Sequence, residues 1–172
     1  MNTDIKIIPA QPTDKETLAD IFMRHIEANR EYISHGEIQM GVGVAVKMDD
    51  GSVRVRPADN GRQMWIKYIT EKLNSSEAAV YKAVVNDEII GFCVADIEED
   101  GADPFGMVCD VLVKEGVRGG GIGGRLLQTA IDWFKSKGIS EIYLESGKNN
   151  HDAHRFFEKR GFVKMSEIFR LS

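Results

Sequence analysis

The stretch MVCDVLVKEGVRGGGIGGRLLQTAIDWFKSKG, residues 107–138, holds three patterns in succession. Met107–Val113 is an apolar, β-branched run of strand length, and Lys114–Gly124 is a loop crowded with glycine. Beyond it Leu126, Leu127, Ala130, Ile131 and Phe134 fall on one helical face, and Gly138 supplies a helix stop. IYLES, starting at Ile142, reads as a second strand. Strand, helix and strand in this order predict a right-handed parallel βαβ unit.

Downstream, NHDAHRFFEKR predicts a helix with Ala153, Phe156 and Phe157 inward and Gly161 as its stop, and Phe162–Leu171 predicts a last strand. Upstream, AAVYKAVV and EIIGFCVADIEE are β-rich runs separated by Asn86 and Asp87, the pattern of a hairpin. Trp65, Ile69 and Leu73 form one stripe of a helix over Arg62–Leu73, and Leu18, Ile21, Phe22 and Ile26 form another after Thr13 or Asp14 as cap. Ile5, Ile7 and Pro9 suggest a short first strand. Between the two early helices, Asp49-Asp50-Gly51 marks a hairpin insertion at about 32–57. The expected fold is one α/β domain, residues 1–172. Its mixed sheet is mostly antiparallel with one parallel pair, and helices cover both faces.

Composition narrows the partners. An apolar fraction of 42% with 28% charged residues supports a packed core and excludes disordered or collagenous chains. With 22 basic against 27 acidic residues the net charge is −5, which offers no surplus for displacing counterions from nucleic acid. The longest apolar run, Ile89–Val94, is far short of a membrane span, and the first residues lack a signal-peptide pattern, so a soluble cytoplasmic chain is expected. Cys93 and Cys109 lie alone in strand-like runs and read as buried free thiols. His151 and His154 stand three apart, but no third ligand has matching spacing, so no metal is predicted.

The loop Arg118–Gly124, RGGGIGG, leaves a helix N-terminus with unpaired N–H groups and no side chains to crowd them. That combination seats phosphate oxygens. A nucleotide-hydrolysing P-loop is excluded, because Gly124 is followed by Arg125-Leu126 rather than Lys-Ser/Thr. A dinucleotide-binding Rossmann-like protein is the alternative, since Gly119, Gly121 and Gly124 meet G-x-G-x-x-G and Glu145 ends the next strand. Against it, Lys114–Arg118 separate the strand from the first glycine, and little chain remains for a doubly wound sheet.

Arg118, Gly121 and Gly123 spell R-x-x-G-x-G within DVLVKEGVRGGGIGGRLL. This closely resembles the acetyl-coenzyme A motif of the GNAT N-acetyltransferase superfamily. YLESGKNNHDAHRFFEKRGF resembles the family's second signature through Asn150, Ala153, Glu158, Lys159, Gly161 and Phe162. The resemblance implies a GNAT-like fold with acetyl-coenzyme A as co-substrate. It places the pyrophosphate on the backbone of Gly119, Gly120, Gly121, Ile122, Gly123 and Gly124, with Arg118 at the loop's start. The pantetheine arm would lie along Val111, Leu112 and Val113 as an extra strand, and Asn150 would hydrogen-bond it while also capping a helix.

Acetylating a primary amine requires a proton to leave it, so a carboxylate is wanted near the acetyl carbon. Asp110 and Glu145 match positions where some members carry an acidic residue, and they are the candidate catalytic residues. The implied function is acetyl transfer to a small-molecule or peptide amine by direct attack in a ternary complex. Phe157 departs from the family pattern, standing where many members carry the tyrosine that protonates the leaving thiolate. That departure keeps a non-catalytic coenzyme A-binding regulatory domain as a further alternative. The segment from about Tyr32 to Pro57 is expected to wall the acceptor site, and its exposed strand edge also suits a homodimer contact.

Overall fold

The computed structural model describes residues 4–101 and 103–171. In chain order the elements are β1 (Lys6–Pro9), α1 (Lys15–Ala28), α2 (His35–Gln39), β2 (Gly43–Lys47), β3 (Val53–Pro57), α3 (Gly61–Asn74), β4 (Ala78–Val85), β5 (Glu88–Glu98), β6 (Phe105–Val113), α4 (Ile122–Ser136), β7 (Ile142–Leu144) and α5 (His151–Glu158). Contacts gather into two compact units. One runs up to Phe22 and resumes over Ile66–Leu144; the other joins Met23–Trp65 to the chain from Glu145 onward.

The first unit is built on a five-stranded sheet in the order β1-β4-β5-β6-β7, antiparallel except for the parallel pair β6 and β7. Asn86 and Asp87 both take positive φ, 49° and 63°, which gives β4 and β5 the tight two-residue turn their sequence promised. Val94 of β5 pairs with Asp110 of β6, whose carboxylate meets Tyr68 of α3; the adjacent Cys93 points the other way and donates to the Leu126 carbonyl of α4. Alternation along the strand therefore puts α3 and α4 on opposite faces of the sheet. Phe92, Val94, Leu126, Leu127 and Phe134 are fully buried there. A single parallel pair excludes the doubly wound sheet that the dinucleotide alternative requires, so that reading is withdrawn.

In the second unit the hairpin expected around Asp49-Asp50-Gly51 is present as β2 and β3, registered from Gly43 opposite Pro57 to Lys47 opposite Val53. The residues before it are partly helical. Ser34 caps α2, its backbone N–H and hydroxyl both donating to Glu37 Oε2, a capping box that closes a five-residue helix. Among the described residues no helix is long and apolar enough to cross a membrane.

Three local expectations are corrected. Neither Thr13 nor Asp14 caps α1, because a 3₁₀ turn over Pro12–Asp14 precedes it; the Asp14 carboxylate instead accepts from the Gln11 backbone at 2.7 Å and from Lys82 Nζ at 2.7 Å. Ala153, Phe156 and Phe157 are half-buried rather than core residues, and α5 has no fully buried position. Phe162–Leu171 is not a strand. Strand propensity becomes structure only where a neighbouring edge supplies hydrogen bonds, and here Val163, Met165, Phe169 and Leu171 are exposed.

Candidate functional site

The sheet of the first unit changes character along β6. Val94 pairs with Asp110 but Ala95 with Val108, so Cys109 is an extra residue without a direct opposite number, a β-bulge. Pairing with β7 stops at the same level, Val108 opposite Leu144. From Cys109 to Val113, β6 thus keeps β5 on one edge while no strand pairs with the other among the described residues. A strand edge of this kind receives an extended ligand through main-chain hydrogen bonds. Leu112 is only 8% exposed, so what it offers there is backbone.

The loop after β6 ends at α4. Gly121 takes the N-cap position at φ 72°, Gly119 sits at φ 100°, and no side chain caps the helix. No acidic residue stands in its first turn. A Cβ built on Gly119 or Gly121 would meet nothing within 4 Å. The first N–H groups of a helix lack intrahelical partners, so this end presents unspent donors and the positive end of the dipole to open space. These residues fit a pyrophosphate. Arg118 folds back from the loop, donating from Nε to the Val113 carbonyl at 3.1 Å, and so ties the loop to the end of β6.

Asp110 directly follows the bulge residue Cys109. Its Oδ2 accepts from the Tyr68 hydroxyl at 2.8 Å. Burial first, and then the Asp110 charge, pushes the Tyr68 phenol well above its usual range, so it remains a protonated donor. Close by on the same helix and strand pair, Lys72 pairs with Asp96.

Glu145 and Asn150 belong to the second unit. The Glu145 carboxylate accepts from His35 Nδ1, 2.9 Å from each oxygen, and from the Gly36 backbone N–H at 3.0 Å. The next residue, Ser146, has a buried hydroxyl with no hydrogen-bond partner among the described residues. Asn150 Oδ1 accepts from the Ala153 N–H at 3.2 Å, the helix-capping role expected of it. Phe157 lies edge-on between Phe156 and Phe162.

The profile of the Acetyltransferase (GNAT) family matches residues 48–162, well over half of the chain. The chain belongs to the GNAT acetyltransferase family. It is 32% identical over 92 residues to N-alpha-acetyltransferase 30 of Schizosaccharomyces pombe, a match covering 52% of this chain and 61% of that protein. The chain thus spans less than two thirds of the length of that curated relative. Two solved structures share the fold. A predicted acetyltransferase of Clostridium acetobutylicum with acetyl-CoA is 18% identical with a TM-score of 0.69, covering 98% of this chain and 96% of that one. An aminoglycoside N-acetyltransferase in complex with CoA is 15% identical with a TM-score of 0.69, covering 100% and 96%.

Two residues of this GNAT chain escaped the sequence reading. Tyr68 carried a usable signal, since it falls three residues after Trp65 on a buried stripe, where a phenol needs a partner for its hydroxyl. His35 carried none, because its partner stands 110 residues away in the chain. Both cysteines are free, Cys93 buried and Cys109 only half-buried, against the expectation that both are buried. Burial pushes the Cys93 thiol up to about 12, and burial together with Asp110 does the same for Cys109. In the native protein at pH 8 neither is expected to react with iodoacetamide, whereas both should in urea; native labelling of Cys109 by mass spectrometry would contradict its placement.

Proposed function

We propose that this protein moves the acetyl group of acetyl-coenzyme A to a primary amine by direct attack in a ternary complex. The observation that carries the reading is the uncapped, glycine-lined start of α4, one loop beyond a strand whose far edge has no strand partner from Cys109 on among the described residues. The helix N–H groups from Gly121 to Gly124 take the pyrophosphate, with Arg118 at the loop's start adding positive charge. The pantetheine arm pairs with the backbone of Val111, Leu112 and Val113. The names of an N-alpha-acetyltransferase among the relatives and an aminoglycoside N-acetyltransferase among the structures support an amine as acceptor, peptide or small molecule.

An alkyl ammonium, of pKa about 10.4, has no lone pair at neutrality and must lose a proton before attack. Asp110 and Glu145 are the carboxylates assigned to that proton, directly or through another group. Phe157 donates nothing, so the thiolate leaves as the anion, which a thiol pKa of about 8.5 permits.

Titration calorimetry with coenzyme A, against nicotinamide and flavin dinucleotides as controls, tests the binding half. Thiol release from acetyl-coenzyme A with alkylamines, polyamines, aminoglycosides and peptide N-termini tests the transfer. Coenzyme A heat and turnover with at least one amine are expected. Coenzyme A binding without turnover across that panel would instead make the chain a binding module. Whichever of Asp110→Asn and Glu145→Gln removes the base should lower turnover by about 100-fold or more while coenzyme A affinity is kept.

A further inference from the structure

We infer that the β2–β3 hairpin of the second unit pairs with the same hairpin of another copy of this chain, β2 against β2, antiparallel and centred on Ala45. The hairpin is a two-stranded sheet, and among the described residues no third strand joins either edge. Two strands alone are marginally stable at best in water. The base of this hairpin is anchored, since Val42 is fully buried and a Cβ on Gly43 would lie 2.7 Å from the Ile33 side chain. Its outer half is not, and Val46 and Val53 are 40% and 49% exposed.

The ladder decides which main-chain groups are spare. Met48 N–H donates to the Ser52 carbonyl at 2.8 Å, and Ala58 N–H to the Val42 carbonyl at 2.9 Å. With Val44 opposite Arg56 and Val46 opposite Arg54, antiparallel alternation gives the shared bonds to Val44 and Val46 and turns the N–H and C=O groups of Gly43, Ala45 and Lys47 away from β3. On the other edge Val53, Val55 and Pro57 face outward. That edge is blunted. Pro57 has no N–H to offer, and a β3–β3 pairing centred on Val55 would set Arg54 opposite Arg56. The β2 edge, GVAVK, carries no such device before Lys47 at its end.

On β2 the register closes on itself. Centred on Ala45, each Gly43 meets Lys47 of the second copy and the two Ala45 residues meet each other, so every outward donor finds an outward acceptor. The contact is isologous, the same strand serving both sides. Because the Cβ side of Gly43 faces Ile33, Val44 and Val46 lie on the opposite face. Across the new pairing they form a patch of four valines rimmed by Arg54 and Arg56, an apolar centre with a charged border. The arginines of one copy stay three strand spacings, about 14 Å, from those of the other, beyond the Debye length at physiological salt. A chain inactive toward every amine would still pair in this way.

Sedimentation velocity on the whole chain is the test. A dimer is expected to predominate at about 100 µM. Ala45→Pro removes an outward N–H and no bond within the hairpin, and Val46→Lys puts a charge in the valine patch. Each should weaken dimerisation at least about tenfold with far-UV circular dichroism unchanged. Mixing Val44→Cys with Val46→Cys under mild oxidation should give a disulfide between the two variants, mapped by mass spectrometry, because a non-hydrogen-bonded pair stands about 4.5 Å apart at Cα. Neither variant alone should cross-link, since its two cysteines are then diagonal neighbours. If Ala45→Pro does not fold, Val46→Lys and the mixed cysteines decide. A chain monomeric at about 100 µM would overturn the proposal and leave the β2 edge to a strand of another protein. A dimer indifferent to Val46→Lys, or one that gives no disulfide on mixing, would overturn it as well.

Discussion

Truncating Phe134 to alanine is expected to lower the unfolding free energy by about 3–5 kcal/mol, the range for deleting a large aromatic ring from a packed core. The ring is fully buried on the inner face of α4. It lies where β6 has Gly106, whose Cβ, if present, would sit 2.7 Å from two ring carbons. Glycine and ring are therefore one fitted contact, and it docks α4 on β6. Urea denaturation measures the effect through the midpoint at unchanged slope. A loss under about 1 kcal/mol would mean that the ring is not filling this contact. The reverse change, Gly106→Val, should also destabilise, because the ring is enclosed and has no room to retreat.

The second large effect is expected at the glycine loop. Gly121 sits at φ 72°, so alanine there costs about 1–2 kcal/mol in backbone strain, and any side chain enters the open space before the helix N-terminus. With Gly121→Val the KM for acetyl-coenzyme A should rise at least about tenfold, while kcat falls by no more than about threefold. Such a split marks binding shared by ground and transition states. Gly123→Val should behave alike, and Arg118→Ala should lose affinity through the released loop as well as the lost charge. Unchanged coenzyme A affinity in these variants, with helical circular dichroism intact, would place the cofactor elsewhere.

Most of the first unit was legible in the chain. The run from Met107 to Gly138 needed only local rules, because strand alternation, glycine conformational freedom and helical periodicity act within a few residues. The hairpins at Asn86-Asp87 and Asp49-Asp50-Gly51 were legible for the same reason, since turn chemistry is written in the turn itself. The segment Phe162–Leu171 shows where this fails. Its composition suits a strand, but a strand needs a neighbouring edge, and no local window contains one.

The site divides along the same line. The sequence by itself determined the glycine-lined, side-chain-free start of α4, because donors without side chains are a property of consecutive residues, while the two carboxylates were singled out by the family resemblance. Only the tertiary structure decided what each carboxylate touches. Asp110 is bound by a phenol 42 positions away, and Glu145 by a histidine 110 positions away. A hydrogen bond requires its atoms within about 3 Å. Such proximity is set by how the backbone closes on itself at places such as Gly147 against Tyr32, and spacing along the chain holds no trace of it.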